Sequence, residues 1–529
     1  MKNYESIDPV ENELPSQYAD RLGQYYALIA GQEHKKKNGQ FFTPLAISRL
    51  MASFADYSAE HIRILDPGCG TLVLGCALVE KIVKYGQGIK TIELVVYEID
   101  DKVIPLLKLS LEYLKEWSEK KQIVLNYNMI CDDFILSNAD CLIEDADLFS
   151  VKRTPFDIII SNPPYFKLPK DDKRVIAAKL VVNGHPNIYA IFMAIAASLL
   201  KIDGELICIT PRSFASGGYF KVFRQYFFKL IQIEKIHLFN SRKETFNRDK
   251  VLQETLIIKG RRTDRIDLQS LVPINSSQGL KDIETPSVIF LPHEELIDLK
   301  SEEKILYTPV TESEKRILGQ FKNWTGNLNK YNIQISTGPV VAFRALDYIK
   351  DNYENGSVHL APLFWLHNVR QMRIDWPIQK PGKGQYINIL PSSKSLLCLN
   401  KNYVLLRRFS SKDDKSRLIA APYLCSNIEA EFIGIENKLN YIYRPKGHLD
   451  RNEVIGLCAL LNSPVFDTFF RIFNGNVNVS ATELRDMPLP PLETIKEIGN
   501  SIILSNDYSV ENTNKLVSEH FANSMITYG

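Results

Sequence analysis

The chain has no cysteine cluster, no long apolar run and almost no net charge, and each absence removes a class of protein. Its eight cysteines stand apart, with no C-x-x-C or Cys/His spacing, so neither a disulfide framework nor a zinc site is indicated and no metal is expected. No apolar stretch is long enough to span a bilayer, and the polar start from Met1 to Glu13 lacks the apolar core of a signal peptide. The expectation is a cytoplasmic protein with no membrane partner. A net charge of +2 is too small to attract a polyanion through the overall field, so any nucleic-acid affinity must come from local patches. Internal repeats are also lacking. What is present is ordinary globular composition, 45% hydrophobic and 24% charged, over 529 residues, which is too long for one core and implies two or three domains.

The most informative residues are Asn162-Pro163-Pro164-Tyr165, directly after the strand-like run Phe156 to Ser161. Proline has no backbone donor and a fixed φ. An asparagine amide oxygen beside a prolyl carbonyl can therefore accept both hydrogens of a planar amino group. The ring of Tyr165 offers a flat face for the base or amide that carries the group. The plainer alternative is a proline-rich turn after a buried strand.

Upstream, Ile62 to Leu65 runs into Asp66-Pro67-Gly68-Cys69-Gly70 and then the amphipathic stretch Leu72 to Ile82: strand, glycine turn, helix. Glycines there let the backbone approach a ligand, and the helix start favours a polar or anionic group. A second run, Glu93 to Tyr97, ends in Glu98-Ile99-Asp100, where an α/β nucleoside site places its ribose-hydroxyl acceptor. Asp100 also suits a helix cap.

In this order the residues resemble the S-adenosylmethionine-dependent amino-methyltransferases of DNA, specifically the adenine-N6 group whose cofactor motifs precede the catalytic tetrapeptide. The resemblance covers most of the chain. Gly39-Gln40-Phe41-Phe42-Thr43-Pro44 looks like the N-terminal cofactor motif, and Asp132-Asp133-Phe134 stands where the family carries an acid for the cofactor adenine. Gly68-Cys69-Gly70-Thr71 departs conservatively from the usual small-residue pattern. The resemblance implies that Thr43, Asp66, Gly68, Gly70, Glu98 and Asp133 bind S-adenosylmethionine. It implies that Asn162, Pro163 and Tyr165 are catalytic, and that Tyr165 and Phe246 stack on the target base. For Phe246 the alternative is a hydrophobic residue tucked under a hairpin loop.

Strand-like runs starting at Ile62, Glu93, Gln122, Phe156, Gly204, Ile233 and Val251 predict a seven-stranded, mostly parallel α/β sheet with helices on both faces. With no helix between the last two, these should form an antiparallel hairpin. The catalytic domain is expected over 39–260, after an N-terminal helical arm at 1–38, because Gly260 to Asp264 interrupts the last strand with polar residues. Residues 261–529 read as a mixed α+β target-recognition region: acidic stretches, short β-like runs from Ile335 past Tyr443, a helical pattern from Val454 to Phe473, and further C-terminal helices. The segment Asn478 to Pro490 also resembles the family's recognition region.

Basic patches concentrate there. Arg407, Arg408 and Lys412, followed by Lys415 and Arg417, form one group, and Arg370 lies in another with Arg344 and Arg373. Such residues neutralise phosphates or read guanine edges; a solvated loop is the plainer reading. The expected activity is base-flipping methylation of adenine N6 within a short specific sequence of double-stranded DNA, protecting it from a separate restriction endonuclease. Two alternatives remain: an Asn-Pro-Pro-Tyr enzyme acting on RNA or a protein glutamine, and an inactive DNA-binding module.

Overall fold

The structure, a computed structural model, describes residues 7–29, 42–56, 59–143, 154–240, 254–351, 359–410, 414–475 and 478–526. The chain divides into two compact units, Met1–Thr311 and Glu312–Gly529. Among the described residues no single helix is long and apolar enough to cross a membrane.

The first unit opens with α1 (Pro15–Ile29) and α2 (Leu45–Ser53). An alternation follows: β1 (His61–Pro67), α3 (Val73–Tyr85), β2 (Thr91–Tyr97), α4 (Ile104–Glu119), β3 (Val124–Ile130), α5 (Phe134–Asn138), β4 (Phe156–Ser161), α6 (Lys173–Ala177), α7 (Ile188–Leu199), β5 (Leu200–Pro211), α8 (Lys221–Leu230), β6 (Ile231–Phe239) and β7 (Thr255–Arg262). All seven expected strands are present. They lie in one sheet with β8 (Leu271–Ser277) and β9 (Ser287–Pro292), in the order β3-β2-β1-β4-β5-β7-β6-β8-β9.

Strands β3, β2, β1, β4 and β5 run parallel, while β7 inserts antiparallel between β5 and β6. A strand covered on both faces is predominantly apolar. β4, Phe-Asp-Ile-Ile-Ile-Ser, is accordingly buried at every position, and Ile158 and Ile160 join Ile64, Leu94, Ile207 and Ile257 in the core under α3.

Two boundaries differ from the expectation. The sheet does not end at residue 260, because β8 pairs parallel with β6 and β9 closes the edge. Of the residues that suggest an end, Gly260, Arg261 and Arg262 still belong to β7. Arg261 is polar because it pairs with Glu205 and Glu234 on neighbouring strands, and Arg262 Nη1 donates to the Ser198 and Leu200 carbonyls at 2.6 Å each. Nor does α1 stand off as an arm. Its Tyr18, Leu22 and Tyr26 pack with Val103 and Leu106, and Ser16 N–H donates to Glu80 Oε1 at 2.6 Å.

The second unit is mixed α+β. One antiparallel sheet contains, side by side, Gln334–Thr337, Leu439–Tyr443, Tyr403–Arg407 and Ala420–Tyr423; a five-stranded sheet is built around Leu360–Phe364 and Phe432–Ile435. The helical run near its end is two helices, Arg451–Asn462 and Pro464–Phe473, bent by 60°. Ser463 breaks it: the Ser463 hydroxyl caps Phe466 N–H, and Pro464, which has no N–H, begins the new helix.

Candidate active site

A cavity of about 580 Å³ opens at the carboxyl ends of β1, β2, β3 and β4, where an open parallel sheet binds its ligands. Every lining residue lies between Phe42 and Phe192.

Its floor is the turn after β1. Gly68 and Gly70 have φ of +69° and +56°, a region where a side chain is strained, and a Cβ on Gly70 would stand 3.0 Å from the Phe42 ring. Leu72, also left-handed at φ +75°, leads into α3 without a side-chain cap. Asp66 replaces that cap from across the turn: its Oδ2 accepts the Gly75 N–H at 3.1 Å. The residue is wholly buried beneath the loop and is absent from the cavity wall, and burial pushes its carboxyl up to about 8.

Glu98, at the end of β2, is on the wall. Its Oε2 accepts from Gly70 N–H at 3.0 Å and its Oε1 from Ile99 and Asp100 N–H at 2.9 Å each. Three of roughly four acceptor positions are thus used, leaving one for a hydroxyl. Burial holds its pKa above the usual carboxylate value, against the lowering effect of these N–H groups.

Asp133 is also on the wall, as the cap of α5: Oδ1 accepts from Ile135 and Leu136 N–H at 2.9 and 3.0 Å. Its Oδ2 faces Arg174 Nη1 at 3.9 Å.

The tetrapeptide follows β4. Asn162 Nδ2 donates to Thr43 Oγ1 at 2.9 Å, and the Tyr165 hydroxyl faces Asn162 Oδ1 and the Ile209 carbonyl. Thr43, Asn162 and Pro163 are on the wall, whereas Tyr165 is not; its ring lies edge-on to Tyr189 at 6.1 Å. Phe246 and Lys412 lie outside the described residues.

Sequence reasoning missed several wall residues. Ile99, 63% exposed, Phe134 and Phe192 supply apolar surface, and Arg174 reaches the wall from α6 while its Nε and Nη2 are held by Asp172 at 2.8 and 2.6 Å. An apolar residue directly after Glu98 was a readable signal for Ile99, but nothing in the sequence pointed to Arg174. Glu98, Asp100, Asp101, Asp132 and Asp133 outnumber Lys102 and Arg174, so the cavity is acidic and suits a cation with an apolar body. Mutually close and turned into one cavity, the residues expected for the cofactor and for Asn162 are brought together, Asp66 excepted.

The expected DNA-contacting arginines lie in the second unit. Half-buried Arg407 donates through Nε to the Val369 carbonyl at 2.7 Å, and Arg408 Nη1 donates to the Asn437 carbonyl at 3.1 Å. Arg370 is exposed. Arg417 is internal, donating through Nη2 to Asn474 Oδ1 at 2.7 Å, so it contributes nothing to a surface patch.

A parallel sheet with a glycine turn after its first strand, an acid after its second and Asn-Pro-Pro-Tyr after its fourth strand defines a methyltransferase domain. Residues 93–246 match the Eco57I restriction-modification methylase family. Over 478 residues the chain is 32% identical to the type II methyltransferase M.PstI of Providencia stuartii, spanning 88% of this chain and 90% of that protein. It is also 32% identical over 494 residues to M.BsuBI of Bacillus subtilis, spanning 92% and 94% respectively. The solved structure of the type IIG restriction endonuclease BpuSI aligns at 14% identity with a TM-score of 0.45, over 93% of this chain and 63% of that one. The chain belongs to the type II restriction-modification methyltransferases and is a DNA methyltransferase of such a system.

Proposed function

We propose that this enzyme transfers a methyl group from S-adenosylmethionine to the exocyclic N6 of adenine in a short duplex sequence, after the base has rotated out of the stack. The observation that carries the reading is the position of Asn162: it stands on the cavity wall beside Pro163, with Nδ2 donating to Thr43 and Oδ1 turned to the Tyr165 hydroxyl. An oxygen with two lone pairs can take one hydrogen from the Tyr165 hydroxyl and one from the substrate. With the Pro163 carbonyl accepting the second amine hydrogen, the nitrogen lone pair is held off the ring and aimed at the electrophile. Direct attack of this kind needs positioning more than a strong base. Cys69 takes no part, since burial holds its thiol protonated.

When bound, S-adenosylmethionine supplies an electrophilic methyl on a sulfonium centre. The residues present fit it: the acidic lining favours the sulfonium charge, Glu98 has an acceptor position left for a ribose hydroxyl, Asp133 Oδ2 is placed for an amino group, and Ile99, Phe134 and Phe192 offer apolar surface. Gly68 and Gly70 keep the turn close to the ligand, and the Thr43 hydroxyl, already accepting from Asn162, can still donate into the cavity. A flipped base also needs aromatic faces, for which Tyr165 and Phe246 remain the proposed pair.

The biological setting we assign is protection of that sequence from a separate endonuclease, in the cytoplasm. Asn162→Ala is expected to abolish transfer while calorimetry finds cofactor and DNA affinity within a few-fold of wild type. Mass spectrometry of digested product DNA is expected to show N6-methyladenine. Near-normal transfer by the variant, or N4-methylcytosine as the product, overturns the reading.

A further inference from the structure

The second unit displays two of its arginines on one short hairpin. Val369–Arg370 pairs antiparallel with Arg373–Ile374, placing Arg370 directly opposite Arg373, and Met372 at the tip has φ +58°. Their side chains, 57% and 69% exposed, would repel if unpartnered. Both converge instead on one carboxylate. Arg373 holds Asp375 side-on, Nε to Oδ1 at 2.7 Å and Nη2 to Oδ2 at 3.1 Å, while Arg370 donates only its Nε, to Oδ2 at 2.8 Å.

The residue that carries this carboxylate is itself fixed through its backbone. Asp375 N–H donates to the Asn368 carbonyl at 2.9 Å, its carbonyl accepts from Asn368 Nδ2 at 2.7 Å, and Asn368, wholly buried, accepts Trp365 N–H at 2.7 Å. The hairpin backbone is braced as well, by Arg407 Nε on the Val369 carbonyl at 2.7 Å and by Met372 N–H on the Ala420 carbonyl at 2.9 Å.

The consequence is an exposed arginine held by its Nε on a braced base, with neither Nη amine hydrogen-bonded among the described residues. A fixed fork can grip a phosphate, but a phosphate contact does not require one. A fork fixed in direction matches the O6 and N7 acceptors of guanine, and the B-DNA major groove admits a two-stranded ribbon of this width. We infer that the Val369–Ile374 hairpin is the guanine-reading element of this enzyme, with Arg370 bidentate on one guanine of the target sequence and with Asp375 and Arg373 as positioning residues. This rests on the reading that the chain methylates a specific duplex sequence.

The test uses the full chain and duplexes carrying the methylated sequence, as found by sequencing the methylated DNA of an expressing host. Each guanine in turn is replaced by 7-deazaguanine, which lacks the N7 acceptor, and kcat/KM is measured for wild type, Arg370→Ala, Arg370→Lys and Asp375→Asn. At one guanine the replacement is expected to cost wild type about 10- to 100-fold. It should cost Arg370→Ala and Arg370→Lys less than about twofold, because their fork is already gone, and should cost Asp375→Asn an intermediate factor. The exposure of Arg370 means that its variants fold, which an unchanged melting temperature verifies. Identical 7-deaza penalties in wild type and both Arg370 variants, with Arg370→Ala weakening all duplexes alike and lowering the salt slope by about one, would make Arg370 a phosphate contact and overturn the proposal. Failure of the underlying reading looks different: wild type itself would methylate no duplex.

Discussion

Asp66 shows how one buried carboxyl ties the turn after β1 to pH. Its Oδ2 holds the Gly75 N–H, and its Oδ1 has no partner among the described residues. Burial raises its pKa from 3.8 to about 8, the Gly75 bond opposing the shift and the Glu98 charge adding to it. Between these two values the folded chain keeps a proton that the unfolded chain has lost. The contribution to stability is therefore complete below about pH 4 and declines as pH rises through 8. Asp66→Asn retains an acceptor for Gly75 and removes the titration. Its stability relative to wild type is expected to rise between pH 5 and 8.5, by up to about 1.4 kcal/mol per pH unit, in urea denaturation at each pH. A difference that stays constant with pH would mean Asp66 is ionised in the fold.

At the scale of elements, the helices of the second unit meet at backbone distance. A Cβ on Gly456, in Arg451–Asn462, would stand 1.9 Å from the Ile495 carbonyl oxygen, and one on Gly499, in Leu492–Ser505, 2.0 Å from that of Asn452. Backbone cannot yield as a flexible side chain can, so Gly456→Ala must push the helices apart. We expect a loss of about 1 to 3 kcal/mol, seen as a lower denaturation midpoint, with cofactor affinity unchanged because the cavity is built from residues 42–192. An unaltered midpoint would show that the crossing relaxes freely. The same unit explains why neighbouring arginines differ. Arg417 is enclosed by Ser410, Phe470 and Asn474 and supports the packing, whereas Arg370 is held outward.

For the whole molecule, the chain divides into two compact units at residues 311 and 312, and the first contains the entire nine-stranded sheet and every residue of the cavity wall. A fragment of residues 1–311 is accordingly expected to bind S-adenosylmethionine within about tenfold of the full chain and to lose sequence-specific methylation. Calorimetry and a tritium-transfer assay measure the two separately, and loss of cofactor binding would show that the second unit is needed to form the site. The seven strands up to β7 and the antiparallel pairing of the last two, the glycine turn, Glu98 and the Asn-Pro-Pro-Tyr run were all legible in the sequence. Those features depend on local rules: burial of apolar runs, left-handed φ at glycine, and the missing N–H of proline. Only the tertiary structure decided that Asp66 lies under the turn rather than on the wall, that Arg174 reaches the cavity, that the sheet continues to Pro292, and that Arg370 faces outward while Arg417 does not. A charged residue's role is set by its partners and its solvent exposure. Those are fixed by segments distant in the chain, so charge type and spacing alone do not carry them.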